Sequence, residues 1–136
     1  MIIEIKGVEF ENKGAHLMLV AIVQQLNSRW PQAMIALSHS SKASSAQRVA
    51  VASLRKIALR KHRLDLNALS YCVPKWMRQK LMAWGLATEA DIDMIVDASG
   101  FSYSDQWPSK VRVLHVKNEL LRFNRHNKPY LFLPQA

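Results

Sequence analysis

Residues 2–38 read IIEIKGVEFENKGAHLMLVAIVQQLNSRWPQAMIALS, and the order of patterns within them decides the fold. Ile2–Lys6 (IIEIK) is short and β-branched, which predicts a strand. Gly7–Lys13 follows as a loop. From Gly14 the period changes. Leu19, Ile22, Val23, Leu26 and Trp30 recur at i, i+3, i+4, i+7 and i+11, which places them on one face of a helix. Met18, Val20 and Ala21 widen that face and predict a well-buried helix. Pro31 stops it. Met34–Ser38 (MIALS) then predicts a second strand.

The alternation continues outward. Ser38–Ser45 is a polar, Ser-rich loop. Ala46–Lys61 predicts a helix with Val49, Ala52, Leu54, Ile57 and Ala58 on its apolar side. Arg63–Leu66 predicts a short third strand. Pro74–Trp84 is a basic amphipathic helix, with Pro74 suited to its first turn and Gly85 to its end. Ile92–Asp97 (IDMIVD) is a strand of the buried kind. Ser109–Asn127 has helical periodicity through Val113, Val116, Leu120, Leu121 and Phe123, and Pro129 stops it. Tyr130–Leu133 (YLFL) is the last strand. Strands alternating with helices imply a parallel sheet covered on both faces. The expected fold is therefore α/β, a Rossmann-like open parallel sheet with helices on both faces.

A length of 136 residues suits one domain, 1–136, and no Gly/Ser- or Pro-rich linker divides it. An apolar fraction of 49% excludes a disordered chain. The single cysteine, Cys72, excludes a disulfide framework and a multi-cysteine zinc site; it reads as a buried thiol that nothing marks as reactive. The most apolar run, Leu17–Val23, is too short to span a bilayer, and no signal peptide is legible at the N-terminus. A soluble, cytoplasmic protein is expected.

The net charge of +9 is unevenly placed. Residues 42–90 hold ten Lys and Arg against Asp65 and Glu89 only, whereas the flanking segments are nearly balanced. Tyr71, Trp76 and Trp84 are interleaved with those cations. This mixture suits a solvated helix face, an anionic polymer or a peripheral contact with the inner face of a membrane. No nucleic-acid motif accompanies it, so nucleic acid is not the expected partner.

In open parallel sheets, ligands bind beyond the carboxyl ends of the strands, where the strand order reverses. Three loops leave such ends: Gly7–Gly14, Asp97–Pro108 and Pro134–Ala136. In the first, Asn12 can cap the following helix, Gly14 permits close backbone approach, and His16 lies in the first helical turn. In the second (DASGFSYSDQW), Asp97 and Asp105 supply carboxylates, Ser99 a hydroxyl and Gly100 a sharp turn. Phe101 and Trp107 add aromatic planes. Carboxylates with aromatic planes suit sugar-like ligands, and equally a loop whose Asp side chains satisfy backbone donors. GxGxxG, P-loop, GxSxG and HExxH patterns are absent, so no nucleotide cofactor, metal or serine nucleophile is expected.

Three stretches resemble the N-terminal half of the polysaccharide pyruvyl transferase family. They are NKGA (12–15), IDMIVDASGFSYSDQW (92–107) and KPYLFLPQA (128–136). The last is the most specific, and the resemblance runs in order along nearly the whole chain. One departure is the single Gly100, where many members carry two or three glycines. The resemblance implies one domain of a two-domain, GT-B-like transferase of exopolysaccharide biosynthesis. That enzyme would move a pyruvyl group from phosphoenolpyruvate onto a saccharide acceptor as a ketal. Asn12, Gly14, Asp97, Gly100 and Asp105 match motif positions that would line the cleft. The family's catalytic His and Arg belong to the C-terminal half and match no position here, so the chain is expected to be a fragment, inactive alone. Two other readings stand beside this one: a small basic module for anionic polymer or membrane, and a GT-B-like glycosyltransferase half.

Overall fold

The computed structural model describes residues 1–8, 13–38, 51–61, 64–99 and 110–134. Six strands form one parallel sheet: β1 (Ile2–Lys6), β2 (Met34–Ser38), β3 (Leu54–Lys56), β6 (Leu86–Ala87), β7 (Met94–Asp97) and β8 (Tyr130–Phe132). Their order across the sheet is β6-β3-β2-β1-β7-β8. Strands added after β1 go to one side through β2 and β3, and the later β7 and β8 go to the other. The order therefore reverses between β1 and β7, as expected of a Rossmann-like α/β sheet. A separate antiparallel pair joins β4 (Arg60–Lys61) to β5 (Leu64–Asp65).

Alternation along β1 splits the core in two. Ile3 and Ile5 pack with Ile35, Leu37 and Val96 beneath helix α1 (Lys13–Arg29), which contributes Leu19, Ile22 and Leu26. Ile2 points to the other face, where Ala36, Leu54, Ile95 and Phe123 meet. Phe123 belongs to helix α3 (Lys110–Arg125). Helices thus lie on both faces of the sheet, as the sequence predicts. From the β6 edge, residues 88–93 carry the chain back past β3, β2 and β1 to β7. Thr88 and Asp91 cap each other at its start, the Thr88 amide and hydroxyl both donating to Asp91 Oδ2 at 2.9 and 2.7 Å.

Four expectations need correction. Residues 54–61 are not the end of a helix: Leu54–Lys56 is β3, hydrogen-bonded in register with Ala36–Ser38. Leu54 and Lys56 share one face of that strand, a period of two that the helical reading of an Ala-rich segment hides. The strand near residue 64 exists, but it pairs with β4 rather than with the main sheet. Helix α1 is buried along one stripe only, because Leu17 and Val20 face solvent, and Trp30, expected on its buried face, lies just past its end and is exposed. Cys72 is exposed. The short helix α2 (Lys75–Ala83) ends as predicted at Gly85, whose φ of +75° is the left-handed conformation that glycine adopts without strain.

Candidate functional site

Three strand ends meet at the point where the order reverses. β1 lies between β2 and β7, and β7 between β1 and β8. The pairing continues just past the strands: the Ala98 amide donates to the Lys6 carbonyl at 2.9 Å, and the Leu133 amide to the Asp97 carbonyl at 2.8 Å. Gly7 makes the approach of the first two loops feasible. Its φ is +73°, and a Cβ there would stand 2.2 Å from the Ser99 nitrogen. Only glycine lets the backbones touch at this place. The chain therefore leaves β1, β7 and β8 from adjacent strand ends.

Asp97 is buried at the end of β7. Its Oδ1 accepts from the Ser99 amide at 2.8 Å, and its Oδ2 accepts from the Tyr130 hydroxyl at 2.7 Å. One carboxylate thereby fixes the start of the β7 loop and ties it to β8. Lys6, opposite Asp97 in the β1–β7 register, carries its ammonium 5.6 Å from the centre of the Tyr130 ring. The described residues thus bring together Gly7, Lys6, Asp97, Ser99 and Tyr130. Gly14 and His16 lie in the first turn of α1 and are exposed. Asn12, Gly100 and Asp105 lie outside the described residues, as do Phe101 and Trp107.

Beside this point, the α3 face of the sheet holds a buried ionic cluster that the sequence gives little hint of. Glu4, in the middle of β1, accepts from Ser38 Oγ at 2.8 Å and from Lys56 Nζ at 2.5 Å. Glu119, in the middle of α3, receives Lys56 at 3.0 Å, Arg60 at 2.9 Å and Lys6. Burial by itself would raise the Glu119 pKa, but Lys56, Lys6 and Arg60 together outweigh it and hold the carboxyl at about 2. Burial would likewise strip the proton from Lys56, yet Glu4 and Glu119 raise its pKa above the ordinary value. Both groups stay charged at neutral pH, so they organise charge rather than exchange protons. Lys6 and Arg60 are the cations of this cluster that reach solvent, with side chains 13% and 27% exposed.

A second network adjoins it. Arg122 of α3 grips Glu89 with two bonds of 2.5 and 2.8 Å and reaches Asp65 at 3.1 Å. Desolvation alone would raise Asp65, but the Asn67 amide and Arg122 hold it below the usual carboxylate range. Arg122 thus fastens the β4–β5 pair and the 88–93 crossing to α3. The one signal for these residues in the sequence is Glu4. A charge inside a short apolar strand of a parallel sheet is buried on both sides and must be partnered. Its partners come from positions 38 and 56, Lys56 is shared with Glu119, and no local pattern links those.

Comparison with family models, with curated proteins and with solved structures finds no match to this chain.

Proposed function

We propose that this chain is the N-terminal, acceptor-side domain of a two-domain transferase resembling the polysaccharide pyruvyl transferases. The observation that supports the reading is that the three strands next to which the resembling stretches lie are neighbours in the sheet. NKGA follows β1, DASG follows β7, and KPYLFLPQ contains β8. They are remote in sequence, and β1, β7 and β8 are consecutive in the sheet. A ligand seated there would lie against the Gly7–Ser99 contact.

The implied reaction joins two saccharide hydroxyls to C2 of phosphoenolpyruvate, protonates its methylene and releases inorganic phosphate, leaving a ketal. The role of this domain would be to bind and orient. Asp97 and Tyr130 hold the start of the β7 loop. The anionic-polymer reading of the basic segment and the GT-B-like glycosyltransferase reading are weaker. Lys56, Arg60 and Arg78 spend their charges on Glu4, Glu119 and Asp91, so the surplus of residues 42–90 is not all offered to a polymer.

The test is NMR titration of the chain with acidic and neutral oligosaccharides and, separately, with phosphoenolpyruvate. Saccharide-induced shifts centred on the Gly7, Ser99 and Lys6 amides are expected, with little salt dependence. Shifts elsewhere, or none, would remove the acceptor-side assignment. Ketal formation by this chain alone would overturn its inactivity.

A further inference from the structure

Helix α2 is amphipathic, and it faces the wrong way for an ordinary surface helix. None of its residues is buried. Its inward side carries the half-buried Arg78, Leu81 and Met82, and Arg78 is anchored by Asp91 and by the Val73 carbonyl at 3.2 Å. At about 100° per residue, the opposite side brings Trp76, Lys80 and Trp84 into one line, a turn apart, with Met77 alongside. Trp76 is 58% exposed and Trp84 82%. The Lys80 ammonium stands 5.2 Å from the centre of the Trp76 ring, so cation and indole are presented together. From Leu66 to Thr88 the sequence has no Asp or Glu, while Lys75 and Lys80 are exposed.

A soluble helix turns its largest apolar side chains inward. Here two tryptophans point to water with cations between them. The fully buried core of a protein interface is depleted in lysine, and nucleic-acid readers carry denser positive charge. Indole rings interleaved with lysine match the headgroup zone of a bilayer. There the rings lodge beside the acyl boundary, and the lysine stems extend to lipid phosphates. We propose that α2 docks this chain, lying in the membrane plane, on a bilayer containing anionic phospholipid, with Trp76 and Trp84 inserted and Lys75 and Lys80 on lipid phosphates. This inference is independent of the transferase reading.

The test uses the full chain and sedimented vesicles of phosphatidylcholine, with and without phosphatidylglycerol. Binding to the anionic vesicles is expected, and it weakens with salt. The double variant W76A/W84A should bind at least about tenfold more weakly, and K75Q/K80Q should lose the preference for phosphatidylglycerol. Both should keep the parent circular dichroism, because these side chains are exposed. Should either variant misfold, brominated lipid in the vesicles should still quench tryptophan fluorescence of the unaltered chain. Absence of binding, equal binding by parent and folded W76A/W84A, or no quenching would overturn the proposal. So would binding to single-stranded nucleic acid without binding to vesicles, or a solution dimer that W76A/W84A dissolves.

Discussion

A single hydrogen atom in place of a side chain sets the distance between the β1 and β7 loops. Gly7→Ala would put a methyl group 2.2 Å from the Ser99 nitrogen and force a non-glycine residue to hold a φ of +73°. The conformation alone costs about 1–2 kcal/mol, and the clash must also part the loops. We expect a loss of about 2 kcal/mol or more in urea unfolding, together with altered amide shifts at Ser99. Glu119 is the second decisive residue. Glu119→Gln leaves Lys6, Lys56 and Arg60 facing an uncharged amide, and loss of one partner in a buried ion cluster costs about 3 kcal/mol or more. The pH response follows from the same geometry. The carboxyl titrates at about 2 in the folded chain against an ordinary 4.5. The folded state therefore binds fewer protons than the unfolded one between those values. Its contribution is present above pH 4.5 and is lost as pH falls toward 2. Chemical denaturation across that window should show a steeper fall for the parent than for Glu119→Gln; equal slopes would exclude this cluster as the cause.

At the scale of elements, α3 is the most instructive. Its apolar periodicity predicts that Val113, Val116, Leu120, Leu121 and Phe123 face the core. Only Phe123 does so fully. The buried stripe is His115, Glu119 and Phe123, one turn apart, with Arg122 beside it. The ion pairs with β1, β3 and residues 60–89 decide the rotation of the helix, because unpaired buried charge costs more than exposed leucine saves. The displaced stripe then lines an outward groove of about 320 Å³, formed by Val113, Val116, Lys117, Leu120 and Leu121. Two substitutions separate the faces. Phe123→Ala should cost about 3–5 kcal/mol in unfolding free energy. Leu121→Gln should change it by no more than about 0.5 kcal/mol. Comparable losses from both would mean that α3 is rotated from the position described.

For the molecule as a whole, the exposed apolar groups of α3 are joined by Leu131 and Phe132 on β8, the edge strand of the sheet. Among the described residues no strand pairs beyond β8, and an unpaired edge with an outward apolar groove favours self-association. Light scattering should show the weight-average mass rising with concentration, and Leu121→Gln should reduce the rise. A concentration-independent monomer would show that neither surface is adhesive. Among the described residues no helix is long and apolar enough to cross a membrane. The sequence by itself determined the alternation of strand and helix, the parallel sheet and the stops at Pro31, Gly85 and Pro129. These are local matters of period and backbone conformation, written within a few residues. The tertiary structure alone decided that Leu54–Lys56 is a strand, that α3 and α2 turn apolar residues outward, and that Glu4, Lys56, Arg60 and Glu119 form one cluster. The charge cluster depends on groups that meet across gaps of 50 residues or more. Electrostatic pairing at that separation leaves no trace in the spacing of neighbouring side chains.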